Sequence, residues 1–153
     1  MTLSQVGLAT DVSGGSSASM LDNIQEASKI SKSIIGDKPT SNSQFADNVL
    51  SIETLLYLAT LGGADLCDMK DEIGSFAPGK KFDAILVNTC WPGSGPDLWI
   101  PEDIGIGERP LRARLERFLF CGDDRNIVKV WVQGRLVKGA SIVVEPLNVA
   151  KTL

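Results

Sequence analysis

The sequence predicts an α/β fold, and three observations carry that prediction. An apolar run over residues 6–10 ends abruptly at Asp11 and a Gly-Gly turn. Apolar residues then recur at steps of three and four from Met20 to Ile34. Beyond residue 80 the apolar stretches shorten to strand length and are separated by turn residues. The coarse order is strand, helix, helix, then strands.

Val6, Gly7, Leu8, Ala9 and Thr10 form a nearly continuous apolar run, the pattern of a strand covered on both faces. In the following DVSGGSS, Ser16 or Ser17 is expected to cap a helix whose inward face is Met20, Ile24, Ala27, Ile30 and Ile34. That helix should stop near Gly36, with Pro39 just beyond. Residues 36–48 read as a polar loop. A second helix is expected after Ser51, turning Ile52, Leu55, Leu56 and Ala59 inward and ending at Gly62-Gly63, with a further turn over residues 64–69. Ala77-Pro78-Gly79-Lys80 reads as a turn into a strand over 82–87. The proline- and glycine-rich residues 91–110 read as a long connection. A short helix over Leu111, Leu115, Phe118 and Leu119 follows, and Gln133-Gly134 joins a hairpin of residues 127–132 and 135–137. A lone buried strand at residues 6–10 would leave its backbone groups unpaired, so cover from outside these residues is expected.

Composition narrows the function classes. The 153 residues hold 43% hydrophobic and 22% charged residues and carry a net charge of −4, values of an ordinary soluble domain without a basic face. Nucleic-acid and membrane partners are therefore not expected. The basic stretch Arg109, Arg112, Arg114 and Arg117 reads as the solvated side of a helix, diluted by Glu116, Asp123 and Asp124. No apolar stretch is long enough to span a bilayer, and a cytoplasmic location is the expectation. Cys67, Cys90 and Cys121 have no metal-ligand spacing and are expected as small buried hydrophobes in a reducing compartment.

The candidate functional residue is Asp11. Ligands gather beyond the carboxyl ends of strands in α/β sheets and barrels, which favours a chemical role there. An aspartate in a turn also bonds nearby backbone, and on pattern alone both readings stand open. The SGGSS stretch reads as a tight strand-to-helix turn, since it lacks the lysine and spacing of a phosphate loop. The chain has no histidine, which excludes a Ser-His-Asp triad and a Cys-His pair within it. Zinc held by this chain alone would need three or more good ligands, and Asp11 with scattered cysteines is not such a set.

The stretches LATDVSGGSSASMLDNI, LATLGGA, EIGSFAPGKKFDAILVN and RFLFCGDDRNIVKVWVQGRLV resemble, in order, the C-terminal third of guanine deaminases of the zinc-dependent amidohydrolase superfamily. The resemblance runs from about Val6 to Val137. The segment around IGSFxxGKxFDAILV marks the superfamily broadly, whereas TDVSGG and FLFCGDDRNI mark the guanine branch. ADLCDMKDE and residues 91–110 depart from the family pattern. The resemblance implies a partial fold: the last strand and helices of a metal-dependent (β/α)₈ barrel, plus C-terminal strands of a small β-sandwich. It implies that residues 1–72 belong to the barrel and 73–153 to the sandwich, with a barrel-associated helix near 109–120. By resemblance, Asp11 is the metal-reaching catalytic aspartate at the end of the last strand, and no substrate-binding residue is assigned.

The implied activity is hydrolysis of guanine to xanthine and ammonia by water on one zinc ion. Zinc lowers the pKa of its bound water to roughly 7 in favourable sites. The family's histidines, its acid glutamate and the residues that read guanine all lie upstream of the equivalent of Asp11. Zinc is therefore expected only together with an N-terminal part, and this chain alone is expected to be inactive. The complete enzyme of this kind commonly forms a homodimer. Two alternatives are a non-catalytic fragment that pairs with another amidohydrolase chain, and part of a different deaminase of the superfamily.

Overall fold

Helix α1 (Met20–Gly36) begins where Ser19 accepts a hydrogen bond from the Asp22 N–H at 3.3 Å, so that an otherwise orphaned donor is satisfied. Ser17, one of the two expected caps, sits a step back: its Oγ accepts from the Ser19 N–H (3.0 Å) and donates to Asp22 Oδ2 (2.6 Å). These contacts belong to a computed structural model that describes residues 6–36, 49–89 and 108–139. The polar segment 37–48, Pro39, Cys90, most of the 91–110 connection and residues 140–153 lie outside the described residues.

The buried stripe of α1 is Met20, Leu21, Ile24, Ala27, Ser28 and Ser31, and Ile30 and Ile34 are more than half exposed. At about 100° per residue, Ile30 lies roughly 120° around the helix from Ile24, while Ser28 lies roughly 40° away. Met20, Ile24 and Ala27 face inward as expected, and helix geometry turns only Ile30 and Ile34 away from that stripe. Ser31 Oγ also accepts the Leu50 N–H at 2.8 Å, tying the returning chain to this face.

Helix α2 (Ile52–Ala59) starts as expected, with Ser51 Oγ accepting from the Thr54 N–H at 3.2 Å. It ends earlier than expected. Thr60 takes its hydroxyl to the Leu56 carbonyl (2.7 Å), and its N–H goes to the Tyr57 carbonyl. The chain then restarts as α3 (Leu61–Leu66), so Gly62 and Gly63 lie inside a helix rather than ending one. Their use is close packing: a Cβ on Gly62 would sit 3.0 Å from the Tyr57 ring.

Helix α4 (Glu108–Cys121) completes the helical layer. Ile24 of α1, Ile52 and Leu55 of α2, and Phe118 and Leu119 of α4 form one buried cluster. Leu111 stays exposed, although its spacing placed it inside. Gln25 Nε2 donates to the Leu119 carbonyl at 3.2 Å, linking α1 to α4.

The later strands form one antiparallel sheet in the order β1-β2-β3, from β1 (Ala84–Val87), β2 (Ile127–Val132) and β3 (Arg135–Lys138). Ala84 faces Trp131, and Trp131 faces Leu136. Gln133 (φ 50°) and Gly134 (φ 77°) both take the left-handed conformation, which matches the twist of a two-residue hairpin. The hairpin tip is anchored: the Gly134 N–H donates to the Phe82 carbonyl (2.8 Å), and the Gln133 N–H to Asp83 Oδ1 (2.6 Å). The turn before β1 closes with Lys80 N–H on the Ala77 carbonyl (3.2 Å), Pro78 leading and Gly79 at φ 88°. Among the described residues the strands make this single sheet, and no parallel strand is present.

Candidate functional site

Residues 6–10, expected as a buried strand, have no ladder partner among the described residues. Strand identity requires pairing, and here the segment leans on helices instead. The Leu8 N–H donates to the Leu58 carbonyl of α2 at 2.9 Å. A Cβ on Gly7 would stand 3.0 Å from the Gly63 Cα of α3, so the two backbones touch without side chains between them. Val6 and Ala9 are exposed rather than covered on both faces.

This contact delivers Asp11 to a tight turn. Asp11 has φ 46°, and its carbonyl accepts the Gly15 N–H at 2.5 Å. A Cβ on Gly15 would fall 2.1 Å from the Thr10 carbonyl oxygen, so only glycine fits there. A Cβ on Gly14 would fall 2.9 Å from Asp11 Oδ2: the carboxylate lies over the bare Gly14 backbone. Asp11 is exposed, and among the described residues its carboxylate accepts no hydrogen bond. The turn is thus held by the main chain, which leaves the carboxylate open to chemistry. Both readings of Asp11 meet here, with its carbonyl used for the turn and its side chain left available.

The other sequence candidates divide. Cys67 and Cys121 are exposed free thiols, not buried hydrophobes, because helices α3 and α4 end there and turn these residues outward. Among the described residues no three His, Cys, Asp or Glu side chains come together as a metal could use them. Arg112 is exposed as expected. Its Nε donates to Glu53 Oε1 at 2.8 Å, bridging α4 to α2. The Arg112 guanidinium holds the Glu53 carboxyl down at about 2.

The guanine-branch stretch GDDRN is occupied with folding. Asp123 caps the turn at residues 124–126, and its carboxylate grips the Arg125 guanidinium at 2.5–3.0 Å, which lowers the Asp123 pKa. Asn126 is fully buried. Its Oδ1 accepts from the Asp123 N–H, and its Nδ2 donates to the Asn88 carbonyl, both at 3.1 Å.

Gly63 packs against the segment that carries Asp11. Gly63 was taken for a helix end, and its contact with Gly7 needs a three-dimensional neighbour to be seen. A hollow of about 280 Å³ is lined by Tyr57, Leu61, Asp65, Lys70, Asp71 and Lys80. Within it, Asp65 pairs with Lys70 at 3.1 Å and raises the lysine's pKa.

A glycine-turned aspartate beside a helical layer, followed by the SFxxGK turn and an antiparallel sheet, defines a class of protein. The chain belongs to the amidohydrolase family, whose pattern matches residues 3–137. Its relatives are specific within that family. Human guanine deaminase is 41% identical over 134 residues, covering 87% of this chain and 27% of its own. The crystal structure of a guanine deaminase from C. acetobutylicum with guanine bound in the active site is 35% identical, with a TM-score of 0.63 over 86% of this chain and 26% of that one. Guanine deaminase from Bradyrhizobium japonicum superposes with a TM-score of 0.70 at 26% identity, covering 90% of this chain and 32% of its own. The chain therefore spans about a quarter of the length of the curated relatives it matches. Among the described residues no helix is long and apolar enough to cross a membrane.

Proposed function

We propose that this chain is the C-terminal portion of a guanine aminohydrolase, which replaces the exocyclic amine of guanine with oxygen and releases xanthine and ammonia. The similarity to guanine deaminases over most of the chain supports the substrate. The observation that carries the chemistry is the exposed Asp11 carboxylate, unbonded above Gly14 at the end of residues 6–10. In this reading Asp11 takes a proton from the water that attacks the purine C2. A carboxylate beside the attacking water is a suitable general base. In this reading residues 1–72 belong to the barrel, and 73–153 supply the C-terminal strands of a small sandwich together with a barrel-associated helix near 109–120. The assembled enzyme is a cytoplasmic homodimer.

Zinc is the metal this family implies. The described residues do not form a site for it, because the chain has no histidine and Asp11 is a single donor where three or more are needed. In this reading zinc belongs to the assembled enzyme, and no step is assigned to it here. A chimera tests the proposal: residues 6–139 replace the matched quarter of Escherichia coli guanine deaminase, and ammonia release from guanine is followed. Turnover of guanine is the expected result. A folded, zinc-loaded chimera that leaves guanine untouched would overturn the reading that these residues complete a guanine deaminase.

A further inference from the structure

We infer that Lys80 is a positioning residue for Asp11, acting through helix α3. The Lys80 ammonium donates to the carbonyls of Lys70 and Ile73 (the latter at 3.3 Å) and to Ser75 Oγ at 2.8 Å. A lysine has three N–H donors, and here three oxygens from a single loop receive them. The loop over residues 70–75 is thereby folded around one cation.

That loop presses on α3 at a point where no side chain intervenes. Gly74 has φ +83°, and a Cβ there would lie 2.7 Å from the Ala64 Cβ and 3.0 Å from the Leu61 Cα. Leu61 and Ala64 share one face of α3 by their spacing. Gly63, which touches Gly7, is about 100° around the helix from Ala64. Helix α3 is thus held between the Lys80 loop and the segment that carries Asp11. A helix of six residues has little stability of its own, so its placement follows its neighbours. When the ammonium is removed, the loop carbonyls lose their shared donor, Gly74 backs away from α3, the Gly7 contact with α3 loosens, and the adjoining Leu8 N–H bond to Leu58 of α2 loosens with it. Asp11 lies three residues beyond Leu8. The mechanical coupling stands on these contacts alone, while its catalytic consequence rests on the aminohydrolase reading.

Amide hydrogen exchange on the full 153-residue chain tests the coupling. Lys80→Met should speed exchange of the Leu8 amide about tenfold or more while the Gly134 amide, bonded to Phe82 in the hairpin, keeps its protection. Gly74→Ala should give the same selective loss with Lys80 intact. Lys80→Cys alkylated with bromoethylamine regains an ammonium at nearly the same reach and should restore protection, and the identically treated parent chain controls for Cys67, Cys90 and Cys121. An unchanged Leu8 amide, a uniform acceleration that includes Gly134, or no recovery on alkylation would each overturn the coupling. In the chimera, Lys80→Met should lower kcat with KM unchanged. If Leu8 loses protection while the chimera's kcat holds, the coupling survives and the role assigned to Asp11 fails.

Discussion

At Asn126, one fully buried amide serves two backbone groups from different parts of the chain: the N–H of Asp123 and the carbonyl of Asn88. Asn126→Ala leaves both without partners in the interior, and an unsatisfied buried group costs about 1–3 kcal/mol. Denaturant titration should show a loss of that size, with the end of β1 the first region to lose protection. Glu53 is a surface case with a pH signature. Its pKa falls from 4.5 to about 2 because Arg112 hydrogen-bonds the charged form. A lowered folded-state value means that the pair stabilises the fold above the unfolded value of 4.5, and that this contribution disappears as pH drops toward 2. Melting temperatures followed from neutral pH to pH 2 should therefore show a shallower acid decline for Glu53→Gln than for the parent. Asp11→Asn in the chimera keeps the shape over Gly14 and removes the base. A loss of roughly 10²–10⁴-fold in kcat, with an unchanged circular dichroism spectrum, is the expected result.

Among the elements, those with strong local chemistry were legible before any neighbour was known. Ser51 announced α2, and Gln133-Gly134 announced the hairpin, because a side-chain cap and a left-handed dipeptide act over three or four residues. Gln133 occupies a conformation that asparagine adopts more readily. Gln133→Asn should therefore stabilise the hairpin, read as a higher unfolding midpoint. The inward faces were less legible. Leu55 was predicted correctly and is completely buried in the three-helix cluster; Leu55→Ala should cost about 2–5 kcal/mol by calorimetry or urea. Ile30, Ile34 and Leu111 looked equally apolar and remain exposed, because burial depends on which helix flank meets a partner. The Gly62-Gly63 pair misled for a similar reason: glycine serves both helix ends and close packing, and the Tyr57 ring beside Gly62 decided for packing.

For the whole molecule, motif order was the readable signal. Four stretches in the right succession pointed to the amidohydrolase family, and the family match over residues 3–137 agrees. The complete site was not readable, because the described residues bring no metal-ligand cluster together and the chain spans about a quarter of its relatives' length. Metal analysis of the purified 153-residue chain should find no stoichiometric zinc, and guanine should persist in its presence. One tightly held zinc per chain would overturn this expectation.

The sequence by itself determined the family, the start of α2 at Ser51 and the hairpin turn, since each is written in neighbouring residues or in fixed motif order. Tertiary structure alone decided that residues 6–10 lean on helices, that the Asp11 carboxylate stays free above Gly14, and that Lys80 gathers the loop pressing on α3. Leu8 with Leu58, Gly7 with Gly63 and Gly74 with Leu61 are contacts between segments remote in the chain. Such contacts form only when packing brings the chain back on itself, so no local pattern encodes them.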